Sequence, residues 1–316
     1  MIRGLVIRGS RNIFTVQIEG EHTELECRIK GKVLKGVETF YNPLAPGDWV
    51  LVEADPAHPG IGQIIALEER WNRFTRFNQK GRGTNRSASS QLLAANVDWI
   101  LCVTTPVSPP WRPRFLDRAL VQADIAGIQA AIVCNKWDLF DGDPDTDERL
   151  EDFRRIGYPV LRVSAKTGEG LDDLRELAAG RLSVLVGQSG VGKSSLINAL
   201  LPEFSLRVGD INEKYDRGNH TTTMSVLLEG AGGARFIDTP GIRRLLPDDV
   251  TAADLILHMR EFAPLAGRCT YGHSCSHRTE PGCKIMEAVD AGVIHEDRYE
   301  SFLRIRDELA GESSYE

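Results

Sequence analysis

Hydrophobic and polar residues alternate in five short runs within the first 68 residues, as they do in β-strands that are buried on one face. Turns rich in glycine and proline separate the runs, which lie at residues 5–8, 13–20, 24–29, 48–53 and 63–67. Five short strands in so small a region predict an OB-type β-barrel over residues 1–68, although a small SH3-like barrel would give a similar pattern.

Beyond the first region the pattern changes to continuous apolar runs that alternate with helical periodicity. The apolar runs lie at residues 99–103, 130–134, 160–163, 184–186, 224–228 and 235–237. This alternation predicts an α/β domain over residues 69–265, in which helices cover a largely parallel sheet and the functional residues lie in loops at the strand ends. The remaining residues, 266–316, contain a Cys/His cluster and a predicted helix at 300–309.

A strongly basic segment joins the first two regions. Residues 70–86 contain six arginine or lysine residues and no acidic residue, and Trp71, Phe74 and Phe77 lie among them. Such a mixture can pair with phosphates and stack on bases, as RNA-binding segments do. A solvated interdomain linker has a similar composition, and the sequence alone favours neither interpretation.

Composition limits the class of protein. The 316 residues are 41% hydrophobic and 26% charged, and no apolar run approaches a membrane span of roughly 18 residues, so neither a membrane protein nor a disordered chain is expected. The N-terminus lacks the regions of a signal peptide, which predicts a cytoplasmic protein. The net charge of −7 argues against a protein that coats nucleic acid, so any RNA contact is expected to be local.

A complete phosphate-loop pattern follows the apolar run at 184–186. Its glycines would let backbone N–H groups surround a phosphate at the start of a helix. Lys193 would reach the β- and γ-phosphates, and the Ser194 hydroxyl would bind Mg²⁺. The predicted nucleotide-binding residues of this loop are Gly187, Gln188, Ser189, Gly190, Val191, Gly192, Lys193, Ser194 and Ser195.

Two further motifs indicate which base is bound. Asp138 can accept hydrogen bonds from the N1 and N2 donors of guanine, a pairing that adenine cannot provide, while Lys136 would lie along the base. In the second motif, the backbone N–H of Ala165 would meet guanine O6. Both motifs follow predicted strands and indicate GTP rather than ATP. The predicted guanine-binding residues are Asn135, Lys136, Asp138, Ser164, Ala165 and Lys166.

Residues 238–241 have the pattern of a switch loop that faces the γ-phosphate. Asp238 would lie near Mg²⁺, and the N–H of Gly241 would lie near the γ-phosphate. One of the three threonines at 221–223 should complete the magnesium shell; we predict Thr222, although the spacing does not exclude its neighbours. The predicted catalytic residues are therefore Lys193, Ser194, Thr222, Asp238 and Gly241, with Ser194 and Thr222 as Mg²⁺ ligands.

The order of these motifs differs from that of a standard GTPase, because both guanine loops precede the phosphate loop. A circular permutation retains the same site while moving the chain ends. Many GTPases position the attacking water with a glutamine immediately after the switch glycine, and here that residue is Ile242. Intrinsic hydrolysis is therefore expected to be slow, on the order of 10⁻⁴ s⁻¹, with the missing group supplied by a partner or by His220.

Three of the six cysteines, Cys269, Cys275 and Cys283, cluster near the C-terminus, whereas the others lie singly in apolar or alternating stretches. This distribution favours buried thiols and a metal site over three disulfides. Three thiolates with one imidazole suit a structural, tetrahedral zinc ion. Either His277 or His273 could supply the imidazole.

The combination of motifs resembles the RsgA family of ribosome small-subunit-dependent GTPases over nearly the whole chain. The resemblance rests on the small barrel, the permuted motif order, the segments 94–98 and 220–223, and the Cys/His cluster. It implies an OB barrel, a permuted GTPase domain and a zinc domain, with GTP or GDP, Mg²⁺ and one Zn²⁺ as ligands. It also favours His277 over His273, whereas the interval from Cys269 to Cys275 is one residue longer than the family's usual spacing.

The same resemblance implies an activity and a partner. The protein would bind the small ribosomal subunit and its rRNA late in maturation, hydrolyse GTP to GDP and phosphate when the subunit stimulates it, and then leave. A monomer without membrane association is expected. Two alternatives stay open at this point: a GTP-gated RNA-binding scaffold in which hydrolysis is incidental, and a GTPase with a different RNA or protein partner.

Overall fold

Five strands form a closed barrel at the N-terminus of the chain. A computed structural model describes residues 1–10, 12–21, 23–31, 40, 42–77, 90–202, 225–239, 245, 247 and 249–311. The barrel strands are β1 (Ile2–Ser10), β2 (Ile13–Ile18), β3 (Glu24–Ile29), β4 (Trp49–Ala54) and β5 (Ile61–Leu67). They pair in the order β1-β2-β3-β5-β4 and close through β1 and β4, with only β3 and β5 parallel among these five strands. The prediction of an OB-type barrel is confirmed.

The barrel core follows from the alternation seen in the sequence. Successive side chains of a strand point to opposite faces, so every second residue faces inward. The inward positions carry apolar side chains, and six of these are at most 2% exposed: Phe14, Val16, Cys27, Val50, Val52 and Ile64. Burial of this alternating set fixes the register of the strands.

An antiparallel hairpin connects the barrel to the central sheet. Its strands are β6 (Arg73–Phe77) and β7 (Ser90–Ala95). Phe74 is fully buried, and Arg70 donates to the buried carboxylate of Asp48 at 2.6 and 2.9 Å. For Arg70 and Phe74, both sequence-based interpretations of the basic segment are wrong, because these side chains stabilise the fold. Trp71 is 62% exposed, and residues 78–86 lie outside the described part of the chain.

In the part of the chain that the structure describes, the central sheet contains six strands. They are β8 (Trp99–Thr104), β9 (Gln129–Cys134), β10 (Val160–Arg162), β11 (Leu182–Gly187), β12 (Val226–Glu229) and β13 (Arg235–Asp238). The order is β10-β9-β8-β11-β13-β12, and each pair is parallel except β12 with β13. The predicted, largely parallel sheet is confirmed. Strands such as β8 and β11 are buried at every position because helices cover both faces.

Within the described ranges, four helices cover this sheet: α1 (Pro113–Ile125), α2 (Pro144–Arg155), α3 (Leu171–Ala178) and α4 (Lys193–Leu200). Proline opens α1 and α2, where its missing N–H costs no helical hydrogen bond. Side chains of α1 and α2 share one core with β8 and β9, and side chains of α3 and α4 share the core on the opposite face. The sheet therefore holds its loops between two packed layers.

The barrel and the central sheet form one continuous sheet of eleven strands. Strand β1 of the barrel pairs antiparallel with β12 of the central sheet, with Arg8 opposite Val226. The pairing covers the open edge of β12, which lies directly before β13 and its terminal Asp238. The barrel is thus hydrogen-bonded to the central sheet.

The C-terminal module contains α5 (Lys284–Asp290) and α6 (Glu296–Ala310), so the helix predicted at 300–309 is longer by several residues at its N-terminal end. Its core includes the three clustered cysteines together with Leu255, Met259, Phe262 and Phe302. In the described part of the chain, no helix has both the length and the apolar character of a membrane span.

Candidate functional site

Every predicted nucleotide-binding motif within the described residues lies at one edge of the central sheet. The phosphate loop follows β11, the guanine motifs follow β9 and β10, and Asp238 ends β13. Because these strands are parallel, their carboxyl ends meet at the same edge. Thr222 and Gly241, as well as His220 and Ile242, lie outside the described residues.

The phosphate loop has the backbone that its glycines allow. Gly190 and Gly192 have φ angles of +86° and +92°, which other residues rarely adopt. A side chain at Gly192 would also lie 2.4 Å from the Asn135 amide nitrogen. Ser194 and Ser195 lie in the first turn of α4, where N–H groups are free of helical partners. The loop can therefore present N–H groups to an anion.

Lys193 is buried over this loop, and its Nζ donates to the carbonyl oxygens of Gly187 at 2.9 Å and Gln188 at 3.2 Å. Burial lowers the pKa of Lys193, although the nearby Asp238 carboxylate opposes that shift. An amine held in a partly desolvated loop interacts strongly with an incoming anion.

Asp238 and Ser194 together fit a hydrated Mg²⁺ ion. Ser194 Oγ lies 3.3 Å from Asp238 Oδ2, whereas Asp238 Oδ1 is buried without a hydrogen-bond partner among the described residues. Burial raises the pKa of Asp238 against the opposing effects of Lys193 and Ser194. A buried carboxylate oxygen without a partner is costly, and a cation with its water shell would satisfy it.

The two guanine motifs are hydrogen-bonded to each other. The Asn135 side chain donates to Val191 O at 2.9 Å and accepts from Ala165 N at 3.1 Å, so it joins the phosphate loop to the second guanine motif. Ser164 Oγ donates to Asp138 Oδ1 at 2.6 Å. This hydrogen bond is the main cause that lowers the pKa of Asp138, and Lys166, with Nζ 3.6 Å from Oδ2, adds to it. The carboxylate is therefore ionised and can accept two donors.

Lys136 contacts a loop that sequence reasoning missed. Its backbone is left-handed, with φ of 59°, and its Nζ donates to Ser108 O and Gly190 O, both at 2.7 Å. Ser108 belongs to residues 105–112, which connect β8 to α1 and which we name the 105–112 loop. Its position directly after a predicted strand of the parallel sheet was a signal that could have identified it.

Four potential metal ligands meet in the C-terminal module. The ligand atoms of Cys269, Cys275, His277 and Cys283 lie within 4.8 Å of one another, and all four residues are buried. The Sγ atoms of Cys269 and Cys283 are 3.9 Å apart, and His277 Nδ1 lies 3.6 and 3.4 Å from them. A tetrahedral zinc site requires about 3.8 Å between sulfurs and about 3.6 Å from sulfur to nitrogen. The donor set and its spacing fit a Zn²⁺ ion.

Neighbouring groups hold the cluster in place. The Tyr299 hydroxyl donates to His277 O at 2.6 Å, and Lys284 N donates to Cys269 Sγ at 3.3 Å. His277 has a φ of 59°, a conformation that the surrounding contacts must maintain. His273 is exposed and lines a small pocket beside the cluster. Among the described residues it does not belong to the group of four.

Comparison with known proteins identifies the family. The sequence model of the RsgA GTPase family matches residues 67–246. A protein of Phocaeicola vulgatus named small ribosomal subunit biogenesis GTPase RsgA is 36% identical over 308 residues, which are 96% of each chain. The chain belongs to the RsgA GTPase family. A second RsgA, from Pseudomonas fluorescens, is 39% identical over 305 residues, which are 96% of this chain and 85% of that protein.

Solved structures of similar proteins share the RsgA-type architecture. YjeQ from Thermotoga maritima is 32% identical and superimposes with a TM-score of 0.75, over 98% of this chain and 99% of that one. YloQ, described as a circularly permuted GTPase, is 26% identical with a TM-score of 0.69, over all of this chain and 97% of its own. The predictions of a GTPase and of a circularly permuted domain between a barrel and a zinc-type module are confirmed.

Proposed function

We propose that this chain binds GTP with Mg²⁺ at the carboxyl edge of its central sheet and hydrolyses it in the late maturation of the small ribosomal subunit. The observation that carries the proposal is the meeting of the phosphate loop, both guanine motifs and Asp238 at that edge, in a chain of the RsgA family. Relatives at 36–39% identity are named for small ribosomal subunit biogenesis.

In this proposal, each loop has one task. The phosphate loop and Lys193 bind the β- and γ-phosphates, while Asp138 and the Ala165 N–H read the guanine edge. Ser194 and Thr222 would be the protein ligands of Mg²⁺, and Asp238 would accept hydrogen bonds from the water molecules of that ion. When bound, Mg²⁺ would neutralise the negative charge that develops on the phosphate oxygens during hydrolysis.

Hydrolysis itself requires a water molecule that is aligned with the γ-phosphate. The switch glycine, Gly241, would donate its N–H to the γ-phosphate, but the following residue, Ile242, has no group that can hold a water. We therefore propose that the small subunit and its rRNA complete the site and that hydrolysis releases the protein. A cytoplasmic monomer fits this role.

Stimulation by small subunits tests the proposed function. We expect steady-state GTP hydrolysis of about 10⁻⁴ s⁻¹ for the chain alone and an increase of about 100-fold or more with purified small ribosomal subunits. Large subunits are the control and should leave the rate unchanged. Tight GTP binding without stimulation by either subunit would contradict the role in hydrolysis and favour a nucleotide-gated scaffold.

We also propose that the Cys₃His cluster binds one structural Zn²⁺ ion through Cys269, Cys275, His277 and Cys283. The proposal is supported by the 3.4–3.9 Å spacings and by the burial of all four ligands. Four protein ligands leave no open position for a reaction, so the ion would stabilise the module.

Replacement of Cys283 by serine should remove the metal and lower stability. We expect zinc content to fall from about one ion per chain to well below half, and the melting temperature to fall by about 10 °C. Elemental analysis and calorimetry would measure both. Cys27→Ala, which removes a buried thiol of the barrel, is the matched control and should retain the metal. Equal metal content in both variants would contradict the assignment.

The domain limits are part of the proposal. We place the barrel at residues 1–68, as the sequence suggests. Leu255, Met259 and Phe262 share one core with the clustered cysteines. We therefore propose that the C-terminal module begins near Thr251 and not at residue 266, so that the α/β domain is shorter than 69–265.

A further inference from the structure

Four charged side chains form a buried cluster between the α/β domain and the C-terminal module. We name Asp117, Arg149, Glu261 and Arg298 the buried charge cluster. Asp117 is 0% exposed, Arg149 and Arg298 are each 1% exposed, and the Glu261 side chain is 4% exposed. Asp117 lies on α1 and Arg298 lies on α6. The cluster therefore joins two helices through residues that are 181 positions apart in sequence.

Arg298 is the centre of the cluster. Its Nη1 donates to Asp117 Oδ1 at 3.0 Å, and its Nη2 donates to Glu261 Oε2 at 2.9 Å. Ser301, one helical turn further along α6, donates to Asp117 Oδ2 at 2.5 Å. Arg149 of α2 donates to Asp117 Oδ1 at 3.2 Å. One guanidinium therefore fixes α6 against α1 and against the residues that precede the metal cluster.

Stability alone is a poor reason for this arrangement. Buried ion pairs lose hydration, and well-packed apolar residues often stabilise a protein as well or better. Burial acts to raise the pKa of Glu261, but the charge and hydrogen bonds of Arg298, together with a backbone hydrogen bond and the charge of Arg149, lower that pKa below its usual value, so the pair is ionised. Charged hydrogen bonds also fix the relative positions of the elements that they join, here α6, α1 and the residues around Glu261.

The element that this geometry fixes is α1, which starts at the end of the 105–112 loop. Within that loop, Thr105 Oγ1 donates to Pro109 O at 2.7 Å. The carbonyl of Ser108 accepts from Lys136 Nζ, and the same Nζ contacts Gly190 of the phosphate loop. Hydrogen bonds at either end, joined by the covalent chain of α1 and the 105–112 loop, thus connect Arg298 to the junction of the guanine and phosphate loops.

We propose that Arg298 is a positioning residue for guanine-nucleotide binding, which it supports by holding α1 and the Ser108 carbonyl where Lys136 can join the two nucleotide loops. The inference rests on the proposed function, since it takes the carboxyl-edge loops as the nucleotide site. Tyr299 follows Arg298 on α6, and its hydroxyl donates to His277 O of the Cys/His cluster. The position of that cluster therefore also contributes to the geometry of α6.

A double-mutant cycle between Arg298 and Lys136 tests the proposal. Arg298→Lys keeps the positive charge but loses the planar fork that reaches Asp117 and Glu261 together. We expect it to weaken GDP binding in the presence of Mg²⁺ by about tenfold, a typical size for coupling between sites. In a Lys136→Ala background, the same change should alter GDP affinity by less than about twofold, because the junction is already lost.

The affinities are measured by calorimetry on the full chain, at a temperature well below each variant's melting transition. Arg278→Lys is the matched control, because Arg278 pairs with Asp307 of α6 at 2.6 Å and should leave GDP affinity unchanged. A merely structural role for Arg298 would weaken binding equally in both backgrounds, and that additivity would overturn the proposal. So would unchanged affinity in Arg298→Lys.

Two further outcomes are distinguishable. If Arg298→Lys does not fold, Ser301→Ala takes its place in the cycle, because it removes one hydrogen bond to Asp117. We expect Ser301→Ala to weaken GDP binding by about threefold, and to have no such effect in the Lys136→Ala background. If the wild-type chain binds no GDP, or Lys136→Ala binds it as tightly as wild type, the nucleotide-site assignment fails, and this inference fails with it.

Discussion

Replacement of Lys193 by methionine is expected to weaken binding of both GTP and GDP by about 100-fold or more. The side chain is 8% exposed, and its Nζ is held by the carbonyl oxygens of Gly187 and Gln188. It is thus placed in the loop that would surround the β-phosphate. Methionine keeps the length of the apolar stem and removes the charge, so the loop keeps its packing. Isothermal calorimetry with Mg²⁺ measures the loss.

Lys284→Met provides the control for this prediction. Lys284 is exposed on α5, and its Nζ pairs with Glu287, three residues further along the same helix, at 2.6 Å. The same substitution there should change neither nucleotide affinity nor the melting temperature. Affinity of Lys193→Met within about threefold of wild type would remove Lys193 from the phosphate site, since one buried charge-assisted contact is worth more than that.

The parts of the fold that sequence predicts well are those set by neighbours along the chain. The run at 24–29 corresponds to β3, Glu24–Ile29, because alternation is a property of consecutive residues on a pleated strand. The same holds for the apolar run at 235–237, which becomes β13, Arg235–Asp238. The loops after parallel strands could likewise be assigned to one edge before any distance was known.

Contacts between distant residues explain where sequence reasoning fell short. Arg70 and Phe74 belong to a segment whose composition is typical of an RNA-binding segment or a linker. Arg70 nevertheless forms part of the folded structure, because it donates to Asp48, which lies more than 20 residues earlier. Local composition contains no information about such a partner. For the same reason the pairing of Arg8 with Val226 could not be predicted, and neither could the buried charge cluster.

The proposed guanine site contains one feature that local sequence predicts and one that only the structure reveals. Asp138 is predicted from its motif, because the proposed reading of guanine requires a carboxylate at that position. The Ser108 carbonyl has no side-chain signature, since any residue provides a carbonyl oxygen. Its role emerges only when Lys136 Nζ is found 2.7 Å away. A motif can thus propose the side chains that would contact a ligand, whereas the backbone groups that position those side chains are seen only in the structure.

Asp138→Asn is expected to reverse the base preference from guanine to xanthine nucleotides. The ionised carboxylate would accept from both N1–H and the N2 amine of guanine, and a pocket that leaves such a group unpaired discriminates by about 10⁴-fold. An amide offers one acceptor and one donor. Xanthine has an N1–H donor beside a C2 carbonyl acceptor, which matches the amide, whereas guanine would place a donor against the amide N–H₂.

Competition of GTP and XTP for each variant measures this reversal. Ser164, whose hydroxyl lies 2.6 Å from Asp138 Oδ1, can rotate to donate or accept and should tolerate the amide. Asp141→Asn, three residues further along on an exposed position, is the control and should keep the wild-type preference for GTP. If Asp138→Asn also kept that preference, the carboxylate would not face the base. The hydrogen bond from Ser164 and the proximity of Lys166 would then serve only to hold the two loops together.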